Sequence, residues 1–170
     1  FKVSMEIKMK YSAFILAMAA LPAAANTEIN GTVEAKCVIQ TDTSGVYGNP
    51  TADKLSTANS DGGVIPIVRY DVAIADYYLA KISHPTEFSS SPALSDTVTW
   101  TGETSVFQTS DAGMSAYDTN KIVYGSTSEF DLTIAGSTWF KTTSTASYGF
   151  GKAFPGGNYT AIVVAECIAK

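Results

Sequence analysis

Alternation with a period of two is the pattern that most restricts this chain. Between Ile29 and Ile39 the odd positions read Ile29, Gly31, Val33, Ala35, Cys37 and Ile39, with Asn30, Thr32, Glu34 and Lys36 between them. One apolar and one polar face at this period is the mark of a β-strand, because successive side chains leave a strand on opposite sides. The signature recurs at Val68, Tyr70, Val72 and Ile74, with a second strand after a bend reaching Ile82. It recurs at Val98 and Trp100, which lead through Gly102-Glu103, read as a tight turn, to Val106 and Phe107. Phe130, Leu132 and Ile134 carry it again, followed beyond Gly136 by Trp139 and Phe140. The last strand is expected over 159–169, with Tyr159, Ala161, Val163, Ala165 and Cys167 inward. Ile162, Val164 and Ile168 make its other face apolar as well, which predicts cover on both sides.

Between these runs, residues 41–63, 83–96, 108–121 and 141–157 are rich in Gly, Ser, Asn, Asp and Pro and read as loops. No segment after Asn26 holds a helical period, no internal repeat is visible, and no linker divides the chain. About seven strands in one unit predict an all-β domain, an antiparallel sandwich of immunoglobulin-like type.

The first 25 residues have a different character. Lys8 and Lys10 precede an apolar run from Tyr11 to Leu21, which ends in Pro22-Ala23-Ala24-Ala25. A basic start, an apolar stretch too short to span a bilayer and an Ala-x-Ala end predict a secretory signal peptide with Asn26 as the first mature residue. Translation would begin at Met5 or Met9, with residues 1–4 upstream. The leader holds three lysines and one glutamate, so of 11 basic and 16 acidic residues 8 and 15 remain, a formal charge of −7. Such a surface repels nucleic acid and anionic lipid. No later apolar run approaches the roughly 20 residues of a transmembrane helix, so the mature protein is expected to leave the membrane.

Export also sets the chemistry of Cys37 and Cys167, the only two cysteines. Both fall on the inward parity of their strands, as a bridge between packed strands requires. An intrachain disulfide is expected; a bridge to another subunit and two buried thiols are the alternatives.

Catalytic patterns are missing. His84 is the only histidine and lies in a polar segment, and no G-x-S-x-G elbow, H-E-x-x-H or paired C-x-x-C occurs. Residues 59–63 and 110–113 set oxygen ligands beside glycines without a 12-residue calcium loop, and read as turns or as calcium ligands. No enzyme activity, cofactor or metal is expected.

The order of features resembles a chaperone/usher pilin: a signal peptide, the alternating segment Thr27 to Ala35, an all-β body, then Phe130-Asp131-Leu132-Thr133-Ile134 with Gly136. The closing run from Phe154 to Val164, with Pro155, Gly157, Tyr159, Ala161 and Val163, is similar to the P-x-G-x-Y-x-G-x-V-x-V ending of such subunits. The resemblance implies three parts: a leader over 1–25, an N-terminal donor strand over 26–36, and a β-sandwich over 37–170 that lacks its last strand. Ile29, Val33 and Ala35 would fill pockets of a neighbour and Gly31 would cross a tight point. Tyr159, Ala161, Val163 and Ala165 would line the acceptor groove. The implied partners are identical subunits in a homopolymer, a periplasmic chaperone and an outer-membrane usher. The implied place is a fimbria on the cell surface, reached through the periplasm, with a role in adhesion or biofilm formation. Taken alone, the alternating segment also fits the first strand of a complete sandwich. The alternative function is a secreted monomeric binding module for carbohydrate or surfaces, with Trp100, Trp139 or the tyrosines as stacking platforms.

Overall fold

A computed structural model describes residues 36–170 as two antiparallel β-sheets packed across one core. In chain order the strands are β1 (Cys37–Thr43), β2 (Gly48–Thr51), β3 (Lys54–Ser56), β4 (Ile67–Val72), β5 (Tyr78–Ser83), β6 (Val98–Thr109), β7 (Ile122–Tyr124), β8 (Thr127–Leu132), β9 (Gly136–Tyr148) and β10 (Val164–Ala169). One short helix, α1 (Tyr117–Asn120), follows a 3-10 turn at Ala112–Ala116.

The first sheet is organised by β9. Its first half pairs with β4, with Ile67 against Lys141, and β4 pairs in turn with β1. Its second half pairs on the same side with β3, which carries β2. Its whole other side pairs with β6. The second sheet runs β10-β5-β8-β7. Alternation places the core: Val68, Tyr70 and Val72 of β4 and Phe140 of β9 meet Tyr78, Ala80 and Ile82 of β5 and Phe130 and Leu132 of β8. Phe130 and Phe140 face each other across the sheets at 4.5 Å between centroids, and Tyr70 meets Phe140 edge-on at 5.5 Å.

Tyr70 also joins the sheets through its polar end. Its hydroxyl donates to the carbonyls of Glu166, at 3.0 Å, and Lys81, at 3.3 Å. Burial, with the Glu166 carboxylate adding to it, raises this hydroxyl above the ordinary tyrosine range. Tyr70→Phe is expected to destabilise the domain by about 1–3 kcal/mol in urea unfolding, since two interior acceptors lose their donor. A change within about 0.5 kcal/mol would show that the bond contributes nothing.

Several expectations from the sequence are corrected here. Gly102-Glu103 is no turn: β6 runs unbroken through both. A side chain at Gly102 would press on His84 Cγ at 2.7 Å and Thr143 O at 2.5 Å, so the glycine marks a close approach within the strand. His84 is accordingly half-buried against β6 rather than a free surface residue. Residues 141–148 continue β9, and the 41–63 segment holds β2 and β3. The 108–121 segment sends Met114 and Tyr117 into the core. Asn59–Asp61 and Ala112–Ala116 form 3-10 turns, the second capped by Asp111, whose carboxylate accepts the Gly113 N–H at 2.7 Å. The last strand begins only at Val164, and Ile162, Val164 and Ile168 are exposed, so its even face lacks the expected cover among the described residues.

Candidate functional site

The two flanks of this pair of sheets differ. On one, β6 and β7 are the edge strands, and the segment between them plugs the gap with Met114 and Tyr117, the latter accepting the Ile134 N–H at 3.0 Å. On the other, the edges are β1 and β10, which belong to different sheets and lie side by side in opposite directions. Cys37 and Cys167 join them in an intrachain disulfide, with a Cα–Cα separation of 6.4 Å. This excludes the intersubunit bridge and the free thiols. Both cysteines lean on the core, as their parity requires.

Away from the disulfide, β1 and the segment leading into β10 part around a groove of about 690 Å³. Thr41 and Thr43 form one wall, Leu55 and Val68 line its interior, and Tyr159, Ala161 and Val163 form the other wall. No charged side chain lines it. At the base, Tyr47 is held by a 2.8 Å hydrogen bond to Ser144 Oγ. Burial raises the Tyr47 hydroxyl above its ordinary range, and the bond to Ser144 pulls the other way. Beneath the same end, Phe88 gathers the rings of Tyr47, Trp100, Phe154 and Tyr159 at 4.6–6.4 Å. This aromatic group fills the space where the second sheet stops.

The wall opposite β1 has an unusual backbone. Thr160 is pinned to Ser90 by bonds of 2.8 and 3.2 Å, and β10 pairs with β5 from Val164 onward. The three residues between, Ala161 to Val163, are outside any ladder. Among the described residues this stretch has no partner strand, and it runs beside the uncharged groove.

Of the residues expected in an acceptor groove, Tyr159, Ala161 and Val163 line the 690 Å³ groove, with odd positions inward. Ala165 lies further along in β10, opposite Ile82 and against the core. The donor positions Ile29, Gly31, Val33 and Ala35 lie outside the described residues. Tyr47 and Leu55 are groove residues that the sequence reading missed; the signal was there, as apolar residues within an otherwise polar stretch. Of the rings considered as stacking platforms, Trp100 packs on Phe88 at 4.6 Å and Arg69 lies over Trp139 at 5.7 Å, whereas Tyr77 and Tyr124 are exposed. Compared with protein-family models, with curated proteins and with solved structures, the chain matches none.

Proposed function

We propose that this chain is a structural subunit of a bacterial surface fimbria of the chaperone/usher kind. In this reading the two sheets are an immunoglobulin-like sandwich short of one strand, and residues 26–36 supply that strand to the next subunit. The observation that carries it is the uncharged groove between β1 and Ala161–Val163, on the flank that no segment plugs among the described residues. Backbone bonds to the unladdered residues would hold the incoming strand, and its alternate apolar side chains would enter between the walls. A periplasmic chaperone would occupy the groove before assembly.

The entry point of β1 favours exchange between subunits. The chain enters β1 at Cys37, at the disulfide end, whereas the groove opens near Thr43, roughly 20 Å further on at about 3.3 Å per residue. A donor segment that continued outward from Cys37 would lead away from its own groove and toward a neighbour's. Full burial of each Ile or Val would contribute roughly 1.5–3 kcal/mol, repeated at every junction of the fibre.

Deleting residues 26–35 is the direct test. Electron microscopy of the exported protein is expected to show fibres from the intact chain and only monomers or chaperone-bound subunits from the deletion. Fibres at undiminished yield from the deletion, or an intact chain that stays monomeric, would overturn the reading.

A further inference from the structure

The edges of the two sheets are not protected alike. On β6 the Val106 N–H is taken by the Asp118 carboxylate at 3.0 Å, and the Thr104 carbonyl accepts from Lys121 Nζ at 2.8 Å. β2 carries Asn49-Pro50. β1 and β10 border the groove. The remaining edge, β7, has no such device among the described residues: Ile122, Val123 and Tyr124 are 52%, 55% and 63% exposed, with neither proline nor charge among them. A bare apolar edge of this kind is a template for another strand.

We propose that β7 is a self-pairing edge that joins a second copy of this chain, and so binds neighbouring fibres side by side. The β7–β8 turn sets the register. Tyr124 pairs with Thr127 across the two-residue loop Gly125-Ser126, with Gly125 at φ 59°, the conformation of a tight hairpin led by glycine. The pair closing such a loop exchanges both backbone bonds, and antiparallel ladders alternate, so Val123 opposite Ser128 does not exchange. Its N–H and C=O therefore point to the open edge.

A two-fold axis at Val123 lets the two copies exchange those bonds with each other. In that register Ile122 meets the second copy's Tyr124, and Lys121 meets Gly125 in place of another lysine. Lys121 is already neutralised by Glu103 at 2.9 Å. Apolar residues thus oppose apolar ones and no like charges are directly opposed. Three residues a side fall well short of the roughly 1,000 Å² that a stable pair of free subunits needs. Repetition along a fibre converts the weak contact into a strong one. The lateral role therefore rests on the polymer reading, while the edge itself does not.

Val123→Lys and Val123→Pro test the edge, because neither removes a bond of the β7–β8 ladder. Wild-type fibres are expected to associate laterally in electron micrographs, and fibres of both variants, at equal yield and thermal stability, to remain single. Variant fibres that bundle like wild type, or wild-type fibres that stay single, overturn the proposal. Val123→Cys gives a second measurement, since an exchanging pair sits about 5.5 Å apart at Cα, within disulfide range. Mild oxidation of this variant at high protein concentration is expected to yield a reducible dimer through residue 123. If no fibres form at all, the polymer reading fails, and this cross-link alone decides the edge: its absence overturns self-pairing.

Discussion

Replacing Cys37 and Cys167 together by serine is expected to lower the stability of the domain by about 4–5 kcal/mol. The bridge closes a loop over a sequence separation of 130 residues, and in the chain-entropy account the restriction of the unfolded state grows with loop length to about this value. Position adds a second consequence. β1 and β10 belong to different sheets and are joined to β4 and β5 by one ladder each, so the disulfide is their only covalent tie at the flank that holds the groove. With domains of this size rarely exceeding about 5–15 kcal/mol, the double variant should sit near its unfolding midpoint in modest urea. Urea titration of the exported protein, followed by tryptophan fluorescence, measures the shift. A loss below about 1 kcal/mol would show that the bridge closes a contact the sheets already hold.

Filling the groove is the second large change. Ala161→Trp places an indole between Thr41 and Thr43 on one side and Val68 on the other, in a space of about 690 Å³ that already exists. Overpacking is therefore small, and because residue 161 is outside any ladder no strand bond is lost. The variant is expected to fold with a melting temperature close to wild type and to lose fibre formation altogether, since the indole would occupy the place of an incoming strand. Mixing it with wild-type subunits should shorten fibres, because each variant can donate a strand and cannot accept one. Fibres of normal length and yield from Ala161→Trp alone would show that assembly does not use this groove.

The two variants probe different links. The disulfide acts on the unfolded chain, the groove on a surface of the folded one, so an assembly defect with an unchanged melting temperature belongs to the groove.

How much of this was legible in the residues follows from how each strand announces itself. β4 and β8 alternate apolar with polar residues, and the faces read from that alternation hold at Val68, Tyr70, Val72, Phe130 and Leu132, which are buried, while Ile74 lies past the end of β4 and is exposed. Parity alone put Cys37 and Cys167 on inward faces, and two cysteines allow one intrachain bridge. The second half of β9 announced nothing, because its buried positions include Thr142 and Ser144, whose hydroxyls are satisfied by Thr104 at 3.0 Å and Tyr47 at 2.8 Å. Buried hydroxyls with partners cost little, so a polar sequence can form an inner strand and still read as a loop. Gly102 misled for a related reason: glycine signals a turn locally, while here it admits the His84 ring.

The strands with a clear alternation, their face parity and the inward placing of both cysteines were thus determined by the order of residues, since each depends on a short local period. Which strands become edges was decided only by tertiary structure, because edge status is the absence of a neighbour, and a strand carries no mark of what fails to pair with it. The groove between β1 and Ala161–Val163, the plug of Met114 and Tyr117 on the opposite flank and the bare edge at Val123 all belong to that second class. Each is a relation between segments tens of residues apart, set by where the two sheets end.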